Sequence, residues 1–277
     1  MVVGWSGSTN PRFPTLTSHT RKELATGLNE STDNAAISVR NVSMMFNLTK
    51  NKTTGLKEYM IRAMKRQLFY EEFWALRDIS LEVERGEVFG VMGLNGAGKS
   101  TLLKIIAGVF KPTSGTVTVR GELAPLLELG AGFDPEFSAR DNVYMNGAMY
   151  GYAPKYMEER YNEIIEFAEL REFEDVAMKN FSSGMRARLG FAVATSVSPD
   201  ILIVDEILGV GDYKFRAKCE KRIADMIGKG ITVLLVSHTI GQVRNMCSRA
   251  VLLEKGSISA IGSVDEVCEI YGDAGDS

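Results

Sequence analysis

GLNGAGKST occupies residues 93–101 and reads as a loop shaped to hold phosphate. Gly93, Gly98, Lys99 and Ser100 match the spacing G-x-x-x-x-G-K-[ST]. Glycines let a backbone wrap closely around phosphates with its N–H groups pointing inward. The helix that follows turns its positive dipole end toward the anion. In that arrangement Lys99 would reach the β- and γ-phosphates of a nucleotide and Ser100 would ligate Mg²⁺. Leu94, Asn95, Gly96, Ala97 and Thr101 complete the cradle. A plain glycine-rich turn is the alternative. The buried strand before the loop and the helix after it argue against that.

The bulk numbers are consistent with one large α/β domain carrying a helical insertion. The chain has 277 residues, 45% of them hydrophobic, which is enough for a full core. A net charge of −3 gives no global reason to expect a nucleic-acid partner. The aliphatic run ITVLLV at 231–236 falls far short of the ~20 apolar residues that a membrane span requires. The opening MVVGWSGSTNPR has no apolar signal core, so a cytoplasmic chain is expected. Cys219, Cys247 and Cys268 are widely scattered and read as reduced, partly buried thiols.

Along the chain, residues 1–36 are rich in Ser, Thr, Asn and Gly and read as a mobile tail. ISVRNVSMMF (37–46) alternates as a strand does. Over 55–70 the basic residues Lys57, Arg62, Lys65 and Arg66 flank an apolar stripe, which predicts a basic amphipathic helix. Residues 75–93 read as two strands joined by a turn at Arg85–Gly86. STLLKIIAGVF (100–110) reads as a helix and GTVTVRG (115–121) as a strand. From about 138 to 198 the spacing becomes helical throughout, which predicts a helical subdomain inserted into a sheet domain. Strand and helix then alternate again. ILIVD (201–205) and ITVLLVSH (231–238) flank a helix over 213–230. A hairpin over 249–262 turns at Lys255–Gly256, and a last short helix precedes a tail at 273–277.

ILIVDE (201–206) ends an apolar strand in two carboxylates. Asp205 is placed to hold the metal through water. Glu206, one residue on, would face the γ-phosphate and polarise an attacking water. Without the phosphate loop this would be only a strand end entering solvent.

Between these two sites lies NFSSGMRARLGFAVA (180–194), and after them GVGD (209–212) and VSH (236–238). In order and spacing the chain resembles the ATP-binding subunit of ABC transporters over roughly 37–272. The resemblance implies a P-loop NTPase of the ABC ATPase type. Its fold would be α/β, with a mixed sheet core, an antiparallel β subdomain and an inserted helical subdomain. FSSGM resembles a variant of that family's signature, with Ser182, Ser183 and Gly184 presented to an anion. Taken alone, a Ser-Ser-Gly at a helix start reads first as an N-cap; its register with the other two motifs favours the signature reading. In the family the signature of one subunit covers the γ-phosphate held by the other, so ATP joins two copies in a homodimer. Asp212 resembles the aspartate of the loop that crosses this interface, and His238 the switch histidine that contacts the γ-phosphate. Phe46 resembles the aromatic that stacks on adenine, with a plain core position as the alternative.

The chain departs from the pattern in places. The family's glutamine between phosphate loop and helical insertion is absent from residues 122–143, and Glu128 or Asp134 stands in its place. Phe181 and Met185 replace the usual Leu and Gln of the signature. LLELGAGF (126–133), SSGM (182–185) and the basic segment before FWAL (73–76) resemble the subgroup that exports polysaccharides. That resemblance implies lipid-linked O-antigen, teichoic acid or capsular glycan moved through a separate integral membrane permease. It also implies a peripheral location at the cytoplasmic face of the membrane, with the basic helix near headgroups or permease. An ordinary surface helix is the alternative for that segment. A soluble ABC-type ATPase acting on a non-transport partner and a small-molecule P-loop kinase are the competing functions. The single cassette without a coiled coil speaks against the first, and the 180–194 and 236–238 motifs against the second.

Overall fold

The computed structural model describes residues 34–49, 70–126, 130, 132–149, 151–197, 199–205 and 212–275. The expectations for the N-terminal tail up to residue 33, for most of the basic helix over 55–70, and for Glu128 and Glu206 lie outside these residues.

Two sheets organise the chain. The smaller has the order β2-β1-β4, built from β1 (Ala35–Thr49), β2 (Tyr70–Glu84) and β4 (Ser114–Val119). β1 runs antiparallel to β4, with Ile37 opposite Val119 and Val39 opposite Val117. The larger sheet has six strands in the order β5-β6-β7-β3-β8-β9. These are β5 (Leu123–Leu126), β6 (Ile201–Asp205), β7 (Thr232–Val236), β3 (Val88–Met92), β8 (Arg249–Glu254) and β9 (Ser257–Ser263). All its neighbours pair in parallel except β8 and β9, which form an antiparallel hairpin.

The parallel strands are nearly continuous apolar runs because both faces of the sheet are covered. The side chains alternate between two cores. Phe89, Val91, Ile203, Leu234, Val236 and Val251 pack toward the antiparallel sheet and α1 (Lys99–Ile106). Met92, Leu202, Val204, Val233, Leu235 and Leu252 point the other way. That second core is closed by helices. α2 (Ala139–Met149), α3 (Pro154–Ala168) and α4 (Ser183–Ser196) form the insertion between β5 and β6. α5 (Tyr213–Gly228), α6 (Ile240–Met246) and α7 (Val264–Gly275) follow β6, β7 and β9. Phe167, Phe191 and Phe215 meet at ring-centroid distances of 5.8 to 6.4 Å and join α3, α4 and α5.

The expected α/β class with its antiparallel sheet and inserted helices is therefore present. Two elements go beyond the sequence reading. Residues 122–143 carry no strand in that reading, yet Leu123–Leu126 form β5, parallel to β6. Pro125 masks the strand, because proline cannot donate to a ladder; β5 is the outermost strand, where one side needs no donor. α6 is only seven residues long and has no side-chain cap, so it gives little periodic signal. All three cysteines are free and buried. Burial pushes the Cys219 and Cys247 thiols up to about 12, so neither is a thiolate at neutral pH.

Leu103 is fully buried between α1 and the sheet, whereas Val109 is 64% exposed. Leu103→Ala is expected to cost about 2–5 kcal/mol in chemical denaturation, and Val109→Ala to stay within about 0.5 kcal/mol.

Candidate functional site

The phosphate loop leaves β3 at Gly93 and enters α1 at Lys99. Gly93 has φ 145° and Gly98 φ 107°, both in the region that disfavours side chains. Space forbids side chains as well. A Cβ on Gly93 would collide with the Leu253 carbonyl oxygen, and one on Gly98 would lie 2.8 Å from that of Ala75. The loop is thus pressed between β2 and the β8–β9 hairpin. The hairpin turn, with positive φ at Lys255 and Gly256, clips it from behind. The Gly256 N–H donates to the Ala97 carbonyl at 3.0 Å, and the Arg77 N–H to the Gly256 carbonyl at 2.7 Å.

No side chain caps the first turn of α1. Its leading N–H groups and dipole end are therefore directed at the loop's concave side. Lys99 is 9% exposed, and its ammonium donates to the carbonyls of Gly93 at 2.7 Å and Leu94 at 3.1 Å. A cleft of about 310 Å³ opens here. Asn95, Gly96, Gly98, Lys99, Ser100 and Thr101 line it, together with Asp205, Ala75 and Phe73. The structure therefore places Asp205 on the same cleft as the loop. Gly93 and Ala97 shape the loop from within the fold, and Leu94 points out, 61% exposed.

Asp205 ends β6 and pairs with Val236 of β7. His238 follows two residues later, on the same edge of the sheet, and is exposed. The turn before it is held by Ser237, whose hydroxyl donates to Gln242 at 2.8 Å and accepts from the Thr239 N–H at 3.0 Å. Ser100 and Asp205 are hard oxygen donors on one cleft, a set that suits Mg²⁺. Among the described residues no cluster of three or more His, Cys, Asp or Glu gathers to hold a metal.

The signature lies elsewhere on the molecule. Ser182 is the N-cap of α4 and its hydroxyl accepts from the Met185 N–H at 3.1 Å. Ser182 and Ser183 are exposed and Gly184 half-buried, while Phe181 is buried beneath them. Within one chain, then, Ser182 is a helix cap, and Ser182, Ser183 and Gly184 are absent from the cleft walls described above. Asp212 caps α5 by accepting from the Phe215 N–H at 2.9 Å. That backbone bond, more than the nearby Arg188, holds its carboxyl below the usual range. Asp134 accepts from the Glu136 N–H at 2.9 Å and so shapes its own turn.

The sequence reading missed two residues. Arg188 spans from Glu169, at 2.9 Å, to Asp212, at 2.6 Å, and its guanidinium lies 4.8 Å over the Phe215 ring. It ties the signature helix to the start of α5, a contact with no signal in local spacing. Phe73 lines the cleft, whereas Phe46 packs edge-on against Phe110 at 5.9 Å.

Comparison with known proteins agrees with this geometry. The family profile described as ABC transporter matches residues 76–209. The O-antigen export system ATP-binding protein RfbB of Klebsiella pneumoniae is 43% identical over 237 residues, covering 85% of this chain and 96% of that protein. The teichoic acids export ATP-binding protein TagH of Listeria monocytogenes is 38% identical over 239 residues, covering 86% of this chain and 70% of that protein. A solved ATP-binding subunit of an ABC transporter superposes with a TM-score of 0.67 at 22% identity, over 86% of this chain and 93% of that one. The dimeric structure of an ATP-binding cassette with ADP and Pi gives a TM-score of 0.65 at 22% identity, over 82% and 98%. At such identity the structures show the fold. The Klebsiella relative, matched over almost its whole length, shows more: this chain belongs to the ABC transporter family, as an ATPase cassette.

Proposed function

We propose that this chain is the ATP-hydrolysing subunit of an exporter that moves a lipid-linked polysaccharide through a separate integral membrane permease. The observation that carries the ATPase part is the cleft that joins Lys99, Ser100 and Thr101 to Asp205. The polysaccharide part is supported by relatives whose names specify O-antigen and teichoic acid export. The glycan would be an O-antigen, a teichoic acid or a capsular chain. No helix among the described residues is long and apolar enough to cross a membrane, which fits a peripheral subunit bound to a permease at the cytoplasmic face.

In this reading the loop's N–H groups and Lys99 bind the β- and γ-phosphates. Ser100 and Asp205 would hold Mg²⁺, which would supply charge neutralisation at the phosphate oxygens. Glu206 orients and polarises the attacking water, and His238 meets the γ-phosphate from the end of β7. Ser182, Ser183 and Gly184 of a second copy close over that phosphate, with Asp212 at the junction. Each copy supplies half of the pocket. ATP therefore favours the closed homodimer by mass action, and hydrolysis reopens it. A kinase would instead need an acceptor pocket, and hydrolysis of ATP without an acceptor would argue against it.

Glu206→Gln is expected to bind ATP but to lose turnover by about 10²- to 10⁴-fold, measured as phosphate release. Undiminished release would remove Glu206 from the mechanism. The same variant should sediment as a dimer with ATP and as a monomer without it. Ser182→Arg, which adds bulk at the exposed cap, should keep the monomer folded and abolish that ATP-dependent dimer. A dimer that persists in Ser182→Arg would place the signature away from the interface.

A further inference from the structure

His238 lies just past the end of β7, in a turn that one side chain ties together. Ser237, before it, is 1% exposed. The Ser237 hydroxyl accepts from the Thr239 N–H at 3.0 Å and donates to the Gln242 side-chain carbonyl at 2.8 Å. The Gln242 N–H in turn donates to the Thr239 carbonyl at 3.1 Å. Both neighbours of His238 are therefore bonded to Gln242. Ser237 is held through its side chain and Thr239 through its backbone. Thr239 itself supplies no side-chain cap to α6. The three bonds close a ring, and the backbone of His238 lies within it.

Gln242 is a firm anchor because α6 is seated on the sheet. Val243, the next residue of the helix, is fully buried. A Cβ built on Gly90 of β3 would lie 2.9 Å from Val243 Cγ1. Glycine at that place lets the helix approach the strand this closely. The same strand delivers the phosphate loop at Gly93. From the other side, the Ser237 N–H donates to the Val91 carbonyl at 3.4 Å and carries the sheet one residue past Val236. The phosphate loop and the turn of His238 thus share β3 as their base.

We propose that Gln242 is a positioning residue for His238, acting through the Ser237 hydroxyl. The proposal rests on the reading of His238 as the group that meets the γ-phosphate. Without the Gln242 acceptor, the buried Ser237 hydroxyl either stays unpaired or turns away from the Thr239 N–H. In both cases the turn loses its fixed geometry. A misplacement of about 1 Å near a reacting group costs on the order of 10²-fold in rate. Gln242 touches no phosphate in this reading. Its loss therefore acts on turnover and spares the binding of a nucleotide that lacks the γ-phosphate. A glutamate at this position keeps the acceptor oxygen, and a carboxylate is favoured in the first turn of a helix.

The test is ATP hydrolysis by the full chain, measured as phosphate release, with ADP affinity measured beside it by calorimetric titration. Gln242→Leu should lower kcat by about 10- to 100-fold and leave ADP affinity within about twofold of the unaltered chain. Gln242→Glu should bring kcat back to within about threefold. In a His238→Ala background, Gln242→Leu should cause no further loss, because residues that act as one unit are not additive. Full turnover in Gln242→Leu, with turnover lost in His238→Ala, overturns this proposal alone. A loss that multiplies with that of His238→Ala overturns it, as does one that Gln242→Glu fails to recover. A matching loss of ADP affinity also overturns it, because the substitution then acts through the fold. If His238→Ala itself hydrolyses ATP at the unaltered rate, the reading of His238 fails and takes this proposal with it.

Discussion

The arrangement depends on how closely a loop of backbone can be pressed between two strands. Gly93 and Gly98 bracket the loop, and at both the fold leaves no room for a Cβ. β2 closes one side through Ala75, and the β8–β9 hairpin closes the other through Leu253 and Gly256. These contacts are made by backbone atoms of rigid elements, so the loop's concave side is shaped before any anion arrives. A preformed cradle avoids the entropy of ordering a loop upon binding. Lys99 keeps its buried charge satisfied on the carbonyls of Gly93 and Leu94. That answers the cost of a buried ammonium and places it at the loop's centre.

The parallel sheet extends that constraint to the edge that carries Asp205 and His238. β6 and β7 lie side by side, with Asp205 opposite Val236, so the carboxylate and the segment leading to His238 emerge at one end of the sheet. β3 delivers the phosphate loop at the same end, next to β7. This is the carboxyl-end crevice where open α/β sheets place their ligands. A one-residue slip between β6 and β7 would turn Asp205 to the opposite face and bury a charge in an apolar core.

The helical insertion is tied to the start of α5 by a separate set of contacts. Arg188 on the signature helix α4 holds Asp212 at the start of α5, and Glu169 at the end of α3 holds Arg188. Glu169 also receives Lys218 from α5 at 3.4 Å. Each exposed pair contributes little on its own, because solvent screens it. They pack over the Phe167, Phe191 and Phe215 cluster, which joins α3, α4 and α5.

The local patterns carried most of the fold. The glycine spacing at 93–98, the buried runs at 88–92, 201–205 and 232–236, and the helical period after 138 are properties of neighbouring residues, so they are legible in one dimension. The hairpin at Lys255–Gly256 was legible for the same reason, since glycine marks a turn with positive φ. The strand at Leu123–Leu126 was not, because Pro125 is tolerable only if the strand lies at an edge, and position in a sheet is not a local property. The two aromatics make the same point. Phe46 and Phe73 look alike in sequence, each near a strand end and upstream of the loop. Only packing separates them: Phe46 meets Phe110 while Phe73 faces the cleft. Sequence by itself determined which chemistry the chain can do, because phosphate binding needs particular residue types at fixed spacing. Tertiary structure decided which side chains share the cleft and that Arg188 bridges Glu169 and Asp212, because distances between residues far apart in the chain are set by strand register and core packing.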